Sequence, residues 1–253
     1  MSEGKKRVLV TGGGRGLGSA IVRALAAQGF AVTFTYRSAG AEAEALIAAI
    51  TADLPDAEVS ARAVDLADRA AVEALAEELE NGETFYGFCH NAGASYDTLA
   101  AMVDQDKAEA VMQVNHFAFV RLSRALVRPM TRAREGRIVA IGSVAALQAN
   151  PGNVAYAASK AALLAHVRGL AVESAKRGVT VNYIAPGFID TAMLAKFADH
   201  RARLESQIPA GRFAQPDDVA QVAAFLFSSG ASYITGAVIP VDGGLTATLA
   251  AHR

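Results

Sequence analysis

A sustained alternation of short apolar runs with longer stretches of helical periodicity restricts the fold of this chain more than any other feature. Residues 7–11, 30–36, 57–64, 85–90, 136–141, 179–184 and 237–241 read as strands. Residues 16–29, 41–52, 69–80, 104–131, 155–176 and 217–227 read as helices; in the first of these, Leu17, Ile21, Leu25 and Ala26 recur at helical spacing. Strands apolar on both faces and separated by helices imply an α/β fold built on one parallel, doubly wound sheet flanked by helices. No repeat, low-complexity segment or linker divides the chain, so residues 1–253 are expected to form one domain.

Composition narrows the function. The 24 basic and 25 acidic residues nearly cancel, which gives no support for a nucleic-acid partner and favours small-molecule chemistry. The single cysteine, Cys89, can form no internal disulfide and ends an apolar run, as a small core residue does. Without a leader-like opening or a run of roughly 18 uncharged apolar residues, the expectation is a soluble cytoplasmic protein with no membrane partner. The histidines lack metal-ligand spacing, so no metal is expected.

Two local patterns carry chemistry. Thr11-Gly-Gly-Gly-Arg-Gly-Leu-Gly18 lies between the first strand and the first helix. Its glycines Gly12, Gly14, Gly16 and Gly18, with Arg15 and Leu17, would let the backbone approach a pyrophosphate at the positive end of that helix. Tyr156 and Lys160 stand at i and i+4, on one helical face. A lysine ammonium beside a phenol favours its ionised form and lowers its pKa from about 10, moving the tyrosine toward acid/base work near neutral pH.

With Asp65 after the third strand, Asn91-Ala92-Gly93 after the fourth, Asn115, Ser143 and Pro186-Gly187, these patterns make the chain resemble the short-chain dehydrogenase/reductase family over nearly its whole length. Within that family it is most similar to the 3-oxoacyl-acyl-carrier-protein reductases, through 136–143 (Gly-Arg-Ile-Val-Ala-Ile-Gly-Ser), 177–182, 185–191 and 233–244. The resemblance implies a Rossmann-type sheet and a catalytic set of Asn115, Ser143, Tyr156 and Lys160. Tyr156 would protonate a carbonyl oxygen as hydride arrives. Lys160 would lower its pKa and hold the nicotinamide ribose, Ser143 would hydrogen-bond the substrate oxygen, and Asn115 would keep a relay water in place. Asn91, Ala92 and Gly93 would line the cofactor cleft, Asp65 and Leu66 would meet the adenine, and Pro186, Gly187, Ile189 and Thr191 would face the nicotinamide side. His90 replaces the asparagine common at that position and is expected to alter packing near the adenosine; His116 and His166 are expected to pack or shape the cleft.

Charge selects between the two nicotinamide cofactors. An acidic residue ending the second strand would suit NAD, whereas this chain has Tyr36-Arg37-Ser38 there and Arg15 in the glycine turn, which suit the 2′-phosphate of NADP(H). The resemblance further implies a homotetramer built on helices 104–131 and 155–176. It also implies an acyl carrier protein as partner, docked through Arg134 and Arg177 near the active-site mouth, and a lid within about 187–215. An NADPH-dependent ketoreductase of fatty acid or polyketide synthesis is the leading expectation, beside a reductase of a free small ketone and a non-catalytic NADP-binding regulator.

Overall fold

The computed structural model describes residues 4–38, 40–192 and 199–248. The chain runs β1 (Arg7–Thr11), α1 (Gly16–Ala27), β2 (Ala31–Tyr36), α2 (Gly40–Asp53), β3 (Val59–Ala63), α3 (Arg69–Asn81) and β4 (Gly87–His90). There follow α4 (Gln105–Met112), a π-helical turn (Gln113–Phe117), α5 (Ala118–Ala133), β5 (Gly136–Ile141), α6 (Val154–Ser174) and β6 (Val179–Pro186). A short α7 (Arg201–Glu205), α8 (Pro216–Phe227) and β7 (Val238–Val241) complete the described elements.

The strands form one sheet in the order β3-β2-β1-β4-β5-β6-β7, and every neighbouring pair is parallel. The chain builds outward from β1 to β3 and then returns to lay β4 against the other side of β1. That reversal opens a crevice at the C-terminal ends of β1 and β4, the place where open α/β sheets bind ligands. Side chains alternate across the sheet. Val8 and Val10 join Ile21, Leu25, Val219 and Ala223 in one layer, while Leu9 joins Phe88, Leu122, Leu126, Leu163 and Val167 in the other.

Helix ends follow local chemistry. Asp68 accepts from the Ala70 amide and Asp104 from the Lys107 amide, each satisfying a donor that has no partner within its helix. Pro216 opens α8, where its missing N–H costs nothing, and Gln215 with Asp218 closes a reciprocal cap.

The segment 104–131 departs from the expected continuous helix. The π turn inserts between α4 and α5, so each of its hydrogen bonds spans one residue more than in an α-helix. The phase shift turns Gln113 and Asn115 inward, at 7% and 0% exposure. An inserted residue leaves the composition of the segment unchanged, which is why periodicity reads straight through it. The expected irregular stretch after residue 191 also contains a helix, α7, within its described part; residues 193–198 of the expected lid lie outside the described residues.

Behind the turn, Phe119 is fully buried, stacks on Phe88 at 5.8 Å, and meets the rings of His90 at 5.5 Å and His166 at 5.4 Å. His166 in turn lies edge-on to His116 at 5.6 Å, so both of these histidines pack. Phe119→Ala is expected to destabilise the protein by about 3–5 kcal/mol, read from the urea midpoint at constant m-value.

Candidate active site and cofactor cleft

Because the strands are parallel, every functional loop leaves the same edge of the sheet. Ser143 follows β5, Tyr156 and Lys160 lie in the first two turns of α6, and the π turn supplies Asn115. Lys160 is 2% exposed, and its Nζ donates to the Ile141 carbonyl at 2.8 Å. Burial lowers its pKa to about 8. A β-carbon on Gly93 would lie 3.4 Å from Asn115 Oδ1 and 3.5 Å from Lys160 Nζ, so these three residues meet at one point.

Tyr156 corrects a sequence expectation. Its pKa is raised, chiefly by burial; a hydrogen bond with the Ser143 side chain pulls it down and the negative charge of Asp97 pushes it further up. The Lys160 ammonium does not control the phenol here. It is directed at the Ile141 carbonyl and stands 5.9 Å from the ring centroid. At neutral pH the tyrosine therefore holds its proton, which makes it a donor beside the Ser143 hydroxyl.

Asn115 ties two elements of the site together. Its Oδ1 accepts from the Ala94 amide at 2.8 Å, while Nδ2 donates to the Ala94 carbonyl at 2.9 Å and to Ser159 Oγ at 2.8 Å. Both amide donors thus clamp the loop after β4 to α6. Gln113 makes a parallel tie, donating to the Leu66 carbonyl at 3.3 Å. The sequence reading missed Gln113 and Ser159. The signal at Gln113, a polar residue at a nominally apolar helical position, is visible only once the π turn has reset the phase.

His90 is fully buried, with Nδ1 3.1 Å from Thr11 Oγ1. The Thr11 hydroxyl oxygen also accepts from the amides of Asn91 and Ala92, each at 3.2 Å. With its oxygen so used, the hydroxyl donates to Nδ1, which leaves the imidazole proton on Nε2. Burial first, and the Lys160 charge second, push the His90 pKa down to about 3, so the ring is neutral. It sits beside Lys160 and against Thr11, the residue that pins Asn91. Neighbouring Cys89 is fully buried and burial raises its thiol pKa, in keeping with a core residue.

The glycine turn is shaped by contact. A β-carbon on Gly18 would come within 1.9 Å of the Gly12 carbonyl oxygen, and one on Gly12, at φ +68°, within 2.9 Å of Ala92 Cα. A β-carbon on Gly14 or Gly16 would make only ordinary contacts, with Tyr36 Cβ at 3.4 Å and Thr191 Cγ2 at 3.5 Å, although Gly16 has φ +54°. Helix α1 begins beside this turn with Arg15 as an N-cap that makes no side-chain cap hydrogen bond. Its leading amides are thus left for an anion. Asn91 locks the cradle from below, donating to the carbonyls of Thr11 and Gly12 at 3.2 and 2.9 Å.

Arg15, Arg37 and Ser38 are exposed at the rim of the same cleft. The Val64 amide donates to the Tyr36 carbonyl at 2.8 Å, so Asp65 and Leu66 emerge next to Arg37. On the far side, Pro186 ends β6, the Gly187 amide donates to the Val241 carbonyl at 3.1 Å, and Ile189 bridges to Ala214. Thr191 closes over Gly16. These residues fit a dinucleotide laid from the β2–β3 side to the β6 side.

Arg134 donates to the Lys176 carbonyl, beside Arg177, at 3.3 Å. Their position contradicts the expectation of a site at the active-site mouth, however. They precede the N-terminal ends of β5 and β6, whereas Ser143 follows the C-terminal end of β5. The six residues of β5 set them about 20 Å apart. A carrier bound to this pair would sit behind the sheet.

Among the described residues no group of three or more His, Cys, Asp or Glu side chains could hold a metal, and no helix is long and apolar enough to cross a membrane.

Comparison with known proteins agrees with this geometry. A family model described as "Enoyl-(Acyl carrier protein) reductase" matches residues 12–246. The chain is 40% identical over 248 residues to the 3-oxoacyl-[acyl-carrier-protein] reductase FabG of Pseudomonas aeruginosa, covering 97% of this chain and 99% of that protein. It is 38% identical to FabG of Escherichia coli K12, covering 95% and 97% respectively. Among solved structures, a gluconate 5-dehydrogenase from Burkholderia cenocepacia J2315 in complex with NADP and tartrate superposes with a TM-score of 0.86 at 30% identity, covering 96% of each chain.

Proposed function

The chain belongs to the short-chain dehydrogenase/reductase family, and from that premise we propose that it is an NADPH-dependent reductase of 3-oxoacyl thioesters, acting on carrier-bound chains in fatty acid or polyketide-type synthesis. The observation that carries this reading is a proton-holding Tyr156 beside Ser143 and a buried Lys160, at the edge of an uncapped glycine cradle. An intact set of this kind argues against a non-catalytic regulator.

NADPH, when bound, supplies the hydride. The amides that open α1 would hold its pyrophosphate, Arg15 and Arg37 its 2′-phosphate, and Lys160 the ribose nearest the reacting carbon. The adjacent hydroxyls of Ser143 and Tyr156 would both reach one acceptor on a bound substrate, which suits a carbonyl oxygen better than a carbon–carbon double bond. Ser143 steadies charge as it develops on that oxygen, and Tyr156 delivers the proton. Lys160 would contribute to these steps through the ribose that its ammonium holds. Exposed Phe117 and Val172, on the outer sides of the π turn and α6, suit burial in a homotetramer, which light scattering would detect. A cytoplasmic setting accords with this substrate.

A second reading, a free small ketone as substrate, is favoured by the likeness to the gluconate 5-dehydrogenase. Assays with NADPH on a 3-oxoacyl carrier protein, a 3-oxoacyl pantetheine mimic and 5-ketogluconate separate the two. Turnover confined to the sugar acid would overturn the thioester reading.

Tyr156→Phe is expected to lower kcat by about 10²–10⁴-fold with NADPH affinity little changed, measured by single-turnover kinetics and fluorescence titration. More than a tenth of wild-type turnover would remove Tyr156 from the role. Lys160→Ala is expected to weaken NADPH binding as well.

The lowered pKa of Lys160 sets a pH limit. Its ammonium is present below its pKa of about 8 and is lost as pH rises through that value, so kcat/KM for the ketone should decline above about pH 8.

Arg37→Asp exchanges attraction to a 2′-phosphate for repulsion. The ratio of kcat/KM for NADPH over NADH should fall at least tenfold, and an unchanged ratio in both Arg37→Asp and Arg15→Ala would refute the charge argument.

A further inference from the structure

Tyr183, in the middle of β6, is fully buried, yet its hydroxyl reaches the catalytic backbone. The Ser143 amide donates to that hydroxyl at 3.0 Å, and the hydroxyl donates to the Lys160 carbonyl at 3.2 Å, with the Ser143 carbonyl 3.5 Å away. One phenol thus joins the loop that carries Ser143 to the turn of α6 that carries Lys160 and, one turn earlier, Tyr156. Gly142 makes the space for it: a β-carbon there would fall 1.7 Å from Tyr183 Cζ. Burial raises the Tyr183 pKa, so the phenol is a permanent donor.

We infer that Tyr183 is a positioning residue for the reductase reaction, a phenolic strut that sets Ser143 and the Tyr156–Lys160 turn at a fixed separation. Sheet hydrogen bonds alone do not do this. They fix β5 against β6, with Ile141 opposite Ile184, but they do not reach α6, and the Lys160 ammonium anchors the helix only through a flexible side chain. The rigid ring links backbone to backbone. A loss of registry of about 1 Å in such a site can cost about a hundredfold in rate.

The inference rests on the reductase reading for its kinetic test and on geometry alone for a second test. Tyr183→Phe keeps the ring and removes only the hydroxyl. With turnover normalised to NADPH-binding sites, kcat should fall at least tenfold, while KM for NADPH and for the thioester stays within twofold. A kcat within twofold of wild type, with only a lower melting temperature, would show that the hydroxyl is a core contact and overturn the proposal. In the wild-type protein, the Ser143 amide should exchange with solvent at least a hundredfold more slowly than exposed loop amides such as that of Ala149. Rapid exchange at Ser143 would overturn the strut. That measurement decides the matter if Tyr183→Phe does not fold. It also decides it if the wild-type protein reduces no thioester, an outcome that sinks the reductase reading separately.

Discussion

The parallel alignment of the sheet is the constraint from which the rest of the structure follows. Every strand ends on the same edge, so Thr11, His90, Ser143 and Pro186 arrive there from β1, β4, β5 and β6 although up to 175 residues separate them in the chain. The reversal of winding between β1 and β4 then leaves a crevice at that edge which no crossover helix can cover. The glycine turn enters it from one side and the loop after β6 from the other.

Within that frame the site is assembled by hydrogen bonds from groups that do no chemistry. Thr11 sets the tautomer of His90 and pins Asn91, Asn91 holds the glycine turn, and Asn115 ties the Ala94 loop to Ser159. Each of these groups is buried or half-buried, where an unmatched donor costs about 1–3 kcal/mol. Buried hydrogen bonds thus hold the glycine turn on one side and the start of α6 on the other.

Electrostatics in this network is decided by burial more than by pairing. Lys160 and His90 both lose basicity because their charged forms are desolvated, and the Lys160 charge lowers His90 further. Tyr156 gains pKa for the same reason. The outcome is a neutral imidazole, a phenol that retains its proton and an ammonium poised near neutrality, which suits a reaction that consumes a proton.

The sequence by itself determined the alternating layout, the glycine turn, the candidate site residues and the basic rim, because each depends on local spacing or residue type. Strand and helix periods are properties of contiguous residues, and a glycine turn is demanded by its own backbone. Only the tertiary structure decided the π turn that buries Asn115 and Gln113, since inserting one residue into a helical ladder leaves no trace in composition. It also decided the raised pKa of Tyr156, because desolvation depends on what packs around a group and not on its i+4 neighbour. Strand direction moved Arg134 and Arg177 to the opposite edge from Ser143. Nor could a strand pattern reveal that Tyr183 spans two elements, because a residue's reach across a core is a distance, and sequence encodes only order.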